Sequence, residues 1–500
     1  MADPGHTDSL LARTAGGAGW TISWRAATRA LGLLSTFVLV RILVPADFGL
    51  VALATSFTSA VDVFAELGVR DALVRETDPD RDTYDTAFTM NLIRGLATAA
   101  LVAASAGLFT HLLGDPRLHA IVLVIALTIV LDGLENIAIV DFRRHLDFRR
   151  EFQLLIFPRI AQVVITLGLA IALANYWALV AGIVAARALQ TIASYVMHPY
   201  RPRLSLRSWR GIASFSAWTW LLSMARVIKD RCVIIIIGGT LDAGRLGVYS
   251  VGSEIAMLPE TELVVPLGRA SFSGFAAARR EGQSIAETWL RIVASTSVIV
   301  APACIGISSL ASPIVVLAFG ANWLAAVPVL EIIAVAGALG VLGRISMSLF
   351  NAFAYLAPLV WSIFAISVLQ LLLLFPLVWH AGVVGAALAT AFATLAQQTL
   401  LSALVFRRFG IRVSNLLSRI WRCLSASALM IAALALSGLG WAASGTSIGA
   451  NIRQLLLAIL LGGAVYLGSL LGLWLLSGRP DGPELDLLSV IRSGGRRLIA

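Results

Sequence analysis

Apolar residues in this 500-residue chain come in long runs, separated by short polar stretches rich in Arg, Gly and Pro. A helical crossing of a bilayer core takes roughly 20 residues. On that length the chain divides into fourteen spans, near 18–40, 46–69, 85–110, 117–140, 152–174, 176–197, 211–238, 243–268, 286–310, 324–349, 357–379, 382–406, 416–438 and 452–477. Strands of a membrane β-barrel would alternate apolar and polar positions over about ten residues. Runs such as LLLAILLGGAVYLGSLLGLWLL (455–476) do not alternate. The expected fold class is therefore an all-α integral membrane protein with about 14 transmembrane helices. The first 17 residues lack the basic start and short apolar core of a cleavable signal peptide, so the N-terminus is expected to stay on the mature protein. The outer loops, mostly under about 12 residues, leave no room for an outer domain.

Composition agrees, with 58% hydrophobic and 13% charged residues and a mean hydropathy of +0.87. The net charge of +10 does not point to nucleic acid once its placement is considered. With the N-terminus inside, the inner segments hold 25 arginines and the outer segments four, Arg41, Arg117, Arg245 and Arg453. That asymmetry is the positive-inside pattern, and it puts both termini in the cytoplasm. Cys232, Cys304 and Cys423 fall far apart in or beside apolar spans, and the six histidines form no ligand pair at helical spacing. The cysteines are read as small packing residues, with no metal site.

The chain also repeats itself. A shift of 198 residues lays GWT (19–21) on AWT (217–219), FGLVA (48–52) on LGVYS (246–250), and Asp62 on Glu260. A shift of 206 lays LLGDPRL (112–118) on AFGANWL (318–324), and NYWALVAG (175–182) on AGVVGAAL (381–388). Six spans separate the copies, so the two repeats should run parallel. The expected organisation is a six-helix lobe over 1–208, a second over 209–410, and two extra helices with a cytoplasmic tail over 411–500.

Charges inside the spans call for an explanation, since each costs about 2.5–3.5 kcal/mol at a helix centre. LLSMARVIKDRCVIIIIGG (221–239) carries Arg226, Lys229, Asp230 and Arg231, and Lys229 is the one lysine of the chain. Arg25 and Arg29 are i,i+4, and Arg226 and Lys229 are i,i+3, so each pair shares a helical face. These cations are the candidate anion site, and phosphate or diphosphate suits them through charge-assisted hydrogen bonds. Arg226 and Asp230 are also spaced to neutralise one another. Arg94, Arg159 and Arg187 lie near span ends and are expected to snorkel, and Arg344 is read as a topology determinant. Among the acids within spans (Asp62, Glu66, Asp132, Glu135, Glu254, Glu260, Glu262 and Glu331), some balance the arginines. Asp62 and Glu260, which correspond in the repeats, are the candidates for coupling to sodium or a proton. Trp218 and Trp220 are candidates for sugar contact or for packing.

The stretch LVRILVPADFGLVALATSFTSAVDVFAELGVRDALV (39–74) resembles the first helical hairpin of polysaccharide transporters. These flip lipid-linked O-antigen or exopolysaccharide units, within the multidrug, oligosaccharidyl-lipid and polysaccharide exporter superfamily. Asp230 followed by VIIIIGG, LGVYS, Pro259, Pro266 and FGANW (319–323) are similar to the same family's second half. Asparagine often accompanies that aspartate in the family, where this chain has Val227 and Ile228. The resemblance implies two six-helix lobes forming a V, a central cationic cavity for a polyprenyl diphosphate-linked oligosaccharide, and alternating access between the two faces of a bacterial cytoplasmic membrane. Carried over, Arg25, Arg29, Arg226, Lys229 and Arg231 would be the cavity cations. A polysaccharide polymerase or export machinery would be the protein partner.

A flippase for the lipid-linked peptidoglycan precursor fits the same span count. A cation or drug antiporter would want carboxylates and aromatics rather than Arg and Lys at its site. A membrane glycosyltransferase or polymerase would need carboxylates on sizeable loops, whereas Asp47, Asp115 and Asp242 stand isolated on short ones. The acidic inner loop ETDPDRDTYD (76–85) reads as solvated linker.

Overall fold

The computed structural model describes residues 27–64, 69–70, 73, 79–145, 147–209, 217–442, 447–479 and 482. All regular structure among them is helical. The chain separates into two compact units, 1–247 and 248–500.

In the first unit, helix α1 covers residues 27–42. It is followed by α2 (Pro45–Phe64), α3 (Arg81–Leu113), α4 (Arg117–Gly133), the short α5 (Val140–Arg144), α6 (Phe148–Leu173), α7 (Trp177–Met197) and α8 (Ala217–Thr240). The ends of α3 are set by local chemistry. Asp80 accepts from the Thr83 backbone N–H at 2.8 Å, and Gly114, at φ 70°, takes the left-handed turn that closes the helix. Helix α9 (Ala243–Ala256) leads from the first unit into the second. The second unit continues with a π-helical turn (Glu260–Val264), α10 (Val265–Arg280), α11 (Ile285–Ser309), α12 (Ala311–Ala318), α13 (Val327–Gly337), α14 (Gly340–Ala352), α15 (Leu356–Phe409), α16 (Val413–Leu436) and α17 (Ile448–Leu476). Gly382, at φ 56° and ψ −131°, breaks α15 into two helices. A side chain at that backbone angle would be strained, so glycine supplies the break.

Among the described residues, eight helices are long and apolar enough to cross a membrane, and nine if α13 and α14, with the short turn Ala321–Ala326 before them, form one span bent by 49°. The other sequence-read spans correspond to shorter or more charged helices. Helix α4 has 17 residues, and α8 carries Arg226, Lys229, Asp230 and Arg231. Large apolar side chains lie exposed along α3 (Leu96, Leu101, Leu108) and α17 (Leu456, Leu460, Leu467). Exposed apolar surface on that scale suits lipid rather than water.

Helix breaks recur at the spacing of the repeat. Helix α1 ends at residue 42 and α8 at Thr240, while α2 starts at Pro45 and α9 at Ala243, each pair 198 residues apart. Helix α7 starts at Trp177, 206 residues before Val383, where the chain resumes after the Gly382 break. The two starts at 45 and 243 also touch reciprocally. A Cβ on Gly49 would run into the Ala243 carbonyl, and one on Gly247 into the Pro45 carbonyl. Equivalent glycines thus let equivalent backbones meet, the close approach that small residues permit between membrane helices.

Helices α16 and α17 pack onto α11. Met430, Leu434 and Cys423 meet Val298 and Ala301, and the buried Tyr466 hydroxyl donates to the Val298 carbonyl at 2.7 Å. Cys304 and Cys423 are buried and Cys232 is half-buried.

The chain leaving α7 is strapped to the start of α3. The Tyr200 hydroxyl donates to the Asp85 carboxylate. The backbone N–H of Arg203 donates to Asp85 at 2.8 Å, and that of Ser205 to Thr89 at 2.9 Å. His198 sits at the root of this strap, 3.5 Å from Asp141. Burial holds its pKa below the ordinary 6.5, against the pull of Asp141. Its contribution to stability is thus complete above pH 6.5 and is lost as pH falls through the lowered value. Hydrogen exchange of the 200–208 amides, corrected for intrinsic rates, should accelerate below pH 6.5, and a pH-independent profile would refute the coupling. Separately, Gly247→Val should destabilise the protein by about 1–3 kcal/mol, as overpacking does, read as a lowered unfolding midpoint in detergent.

Candidate functional site

Helices α3 and α4 approach through glycine. A Cβ on Gly95 would lie 2.9 Å from the Ile129 carbonyl, and one on Gly133 would lie 3.1 Å from that of Asn91. The Asn91 side chain donates to the Asp132 carbonyl at 3.0 Å and fixes the register. This brings Arg94 on α3 between Asp62 on α2 and Asp132 on α4, at 2.6 Å from each. Arg187 on α7 pairs with the same Asp132. Arg70 reaches Asp132 at 3.1 Å and Glu135 at 2.7 Å, and the Gln190 amide donates to Glu135 at 3.0 Å. Three guanidinium groups and three carboxylates form one neutral network, in which Arg94 is 8% exposed and Glu135 1%.

Arg94 and Arg187, expected to snorkel from span ends, therefore do not. They turn inward because carboxylates on neighbouring helices stabilise them more than the membrane surface would. The trace in the sequence was Asp132 and Glu135, two acids three residues apart, the first in the last turn of α4 and the second in the bend that follows it. Arg159 also turns inward. Its guanidinium lies 3.1 Å from where a Cβ on Gly32 would stand, and it donates to Gln162 at 2.7 Å. Gly32 follows Arg29 by three residues, so Arg159 reaches the α1 face that carries Arg29.

Beside the ionic network lies a cavity of about 330 Å³, walled by Asp62, Thr128, Asp132, Gln162, Arg187 and Gln190 together with Ile129, Ile183 and Ala186. It is open on one side and lined by α2, α4, α6 and α7.

Of the sequence-predicted cations, Arg29, Lys229 and Arg231 are half-buried on α1 and α8. Arg25 and the Arg226 side chain lie outside the described residues, as do Glu66 and the side chains of Trp218 and Trp220. Asp230 is exposed on α8. The two repeat-related acids each hold an arginine, Asp62 with Arg94 and Glu260 with Arg344 at 3.0 Å. Arg344, read as a topology determinant, is thereby an ion-pair partner as well. Glu260 opens the π-helical turn, a local irregularity that recurs at functional sites. Among the described residues, no group of three or more His, Cys, Asp or Glu side chains could hold a metal.

A family model described as "Polysaccharide biosynthesis protein" matches residues 38–328, more than half of the chain. The chain belongs to this family. Among curated relatives of this polysaccharide biosynthesis protein is the succinoglycan biosynthesis transport protein ExoT of Rhizobium meliloti (strain 1021). It is 24% identical over 63% of this chain and 64% of its own length. The lipopolysaccharide biosynthesis protein WzxC of Escherichia coli (strain K12) is 23% identical over 67% of this chain and 69% of its own. The chain thus spans just under two thirds of the succinoglycan protein's length. Among solved structures, the lipid II flippase MurJ in an inward closed conformation is similar, with a TM-score of 0.74 at 15% identity, over 91% of this chain and 99% of that one. A MATE family multidrug transporter of the MOP superfamily is similar with a TM-score of 0.60 at 15% identity, over 77% and 94%. These likenesses establish the fold, an all-α multi-pass membrane transporter fold.

Arg94→Ala should cost about 3–5 kcal/mol, because it strands carboxylates in a low-dielectric interior. Adding Asp62→Asn should recover part of that loss. Thermal unfolding in detergent measures both, and an unchanged midpoint for Arg94→Ala would mean that the network carries no stability.

Proposed function

We propose that this polysaccharide biosynthesis protein is a flippase. It carries a polyprenyl diphosphate-linked oligosaccharide, the repeat unit of an O-antigen, capsule or exopolysaccharide, from the cytoplasmic to the outer leaflet by alternating access. The observation that carries the reading is α8, where Lys229 and Arg231 are half-buried on a helix otherwise built for a bilayer. Arg29 on α1 is also half-buried, and Arg159 on α6 reaches the same α1 face. Such groups bind a diphosphate while the prenyl tail stays in lipid, and Lys229 offers it a flexible point charge. The sequence assigns Arg25, Arg29, Arg226, Lys229 and Arg231 to that role. The names of relatives in succinoglycan transport and lipopolysaccharide biosynthesis support the cargo class.

The arginine distribution supports a cytoplasmic membrane location with both termini inside. We read the protein as a transporter rather than an enzyme, acting beside a polysaccharide polymerase or export machinery. Nucleic acid has no part in it. Sodium or a proton would couple to transport by competing with Arg94 for Asp62, or with Arg344 for Glu260. The fold shared with a lipid II flippase favours one second reading, transport of the lipid-linked peptidoglycan precursor.

In a strain lacking the protein, the lipid-linked oligosaccharide should accumulate on the cytoplasmic side. Wild type should relieve this, and a well-expressed Lys229→Ala variant should flip about tenfold more slowly, the loss of a contact worth about 1.5–3 kcal/mol. An oligosaccharide that is absent or shortened instead would make the protein part of sugar assembly. Accumulated peptidoglycan precursor would favour the second reading.

A further inference from the structure

The cavity in the first unit differs in kind from the cationic residues of α1 and α8. Its two carboxylates, Asp62 and Asp132, are already matched by Arg94 and Arg187. A metal cation would need a net negative site and a diphosphate a net positive one. With both ion pairs closed the site is neither, and a cation would first have to displace an arginine, so the fitting occupant of this paired state is uncharged and polar.

The wall chemistry narrows the class further. Thr128 donates its hydroxyl proton to the Ile125 carbonyl at 2.6 Å, so toward a ligand it is an acceptor. The Gln162 carbonyl takes the Arg159 hydrogen bond, which leaves its amide N–H groups as donors. Gln190 spends its N–H on Glu135, which leaves its carbonyl oxygen as an acceptor. Asp62 and Asp132 accept and Arg187 donates. Donors and acceptors are therefore both present around a small space, as hydroxyl groups require, since they both give and take hydrogen bonds. Ile129 and Ile183 add apolar wall for a C–H face. The volume of about 330 Å³ equals roughly eleven waters at about 30 Å³ each, which is room for one hexose ring.

We infer that this cavity is a monosaccharide subsite, which reads one neutral sugar of the lipid-linked oligosaccharide through Asp62, Thr128, Asp132, Gln162, Arg187 and Gln190. The inference rests on the flippase reading above and assigns sugar selectivity to the first unit, apart from the diphosphate site.

The test uses the full chain in lipid nanodiscs and three probes: bare decaprenyl diphosphate, and the same lipid carrying one glucose or one galactose. At least one hexosyl lipid should bind about five- to tenfold more tightly than the bare diphosphate, the gain from one or two ordinary hydrogen bonds. Ala186→Phe, which fills the cavity, should erase that difference and leave the affinity for bare decaprenyl diphosphate unchanged, which also shows that the variant is folded. Thr128→Val, a milder change, should reduce the difference by about two- to fivefold. Equal affinity of wild type for all three lipids overturns the sugar subsite and leaves the flippase reading standing. So does a difference that survives Ala186→Phe. Failure to bind even the bare diphosphate overturns both.

Discussion

Asp132 takes salt bridges from Arg70, Arg94 and Arg187, which arrive from separate parts of the first unit. Hydrocarbon cannot solvate any of these groups, so each must find its opposite charge inside the protein or not enter the membrane. The consequence reaches beyond one residue. Helices α2, α3, α4 and α7 are held in register by charge pairing, and the apolar contacts between them only have to be compatible with it. Gly95 and Gly133 make the approach possible, because any larger side chain there would hold α3 and α4 too far apart for Arg94 to bridge 2.6 Å on both sides.

The second unit answers the same constraint differently. Glu260 stands 198 residues after Asp62 and again carries an arginine, but that arginine is Arg344 on α14. The position equivalent to Arg94 at that shift is Ile292. The acid thus persists across the repeat while its partner comes from another helix. What the repeats share to the residue is backbone: the breaks at 42 and 240, the starts at 45 and 243, and the reciprocal glycines at 49 and 247. The glycine contact restricts both copies identically, because no side chain fits at either position. An ion pair can be rebuilt from any neighbour within reach.

That difference also explains what could be read from the chain. Length and hydropathy were enough for a helical membrane protein, because a bilayer imposes its thickness on every span, and the FGLVA and LGVYS stretches marked the matching helix starts at 45 and 243. The ionic network was less legible. Arg94 and Arg187 lie near span ends in sequence, and their inward turn depends on acids that are about 32 to 55 residues away along the chain, a separation that helical periodicity does not register. Asp132 at the end of α4 and Glu135 just beyond it were the local trace of it. The cavity beside them was not legible at all, since Thr128, Gln162 and Gln190 are ordinary residues until α4, α6 and α7 bring them to one space.

In the flippase reading proposed above, the neutral network and the cations of α8 would serve opposite ends of one amphipathic cargo. A diphosphate needs cationic groups, and these are tolerated in a membrane only where they are paired or along a face that meets water or the ligand itself. A sugar needs hydrogen-bond donors and acceptors held still, and holding them still is what a closed set of ion pairs does, since each side chain lining the cavity is fixed by a partner behind it. Arg187 is fixed by Asp132, Gln190 by Glu135 and Gln162 by Arg159. The same salt bridges that hold the first unit together would thereby present a fixed, charge-balanced polar surface. A helix bundle with apolar contacts alone would have neither the rigidity at those side chains nor the polar groups to display.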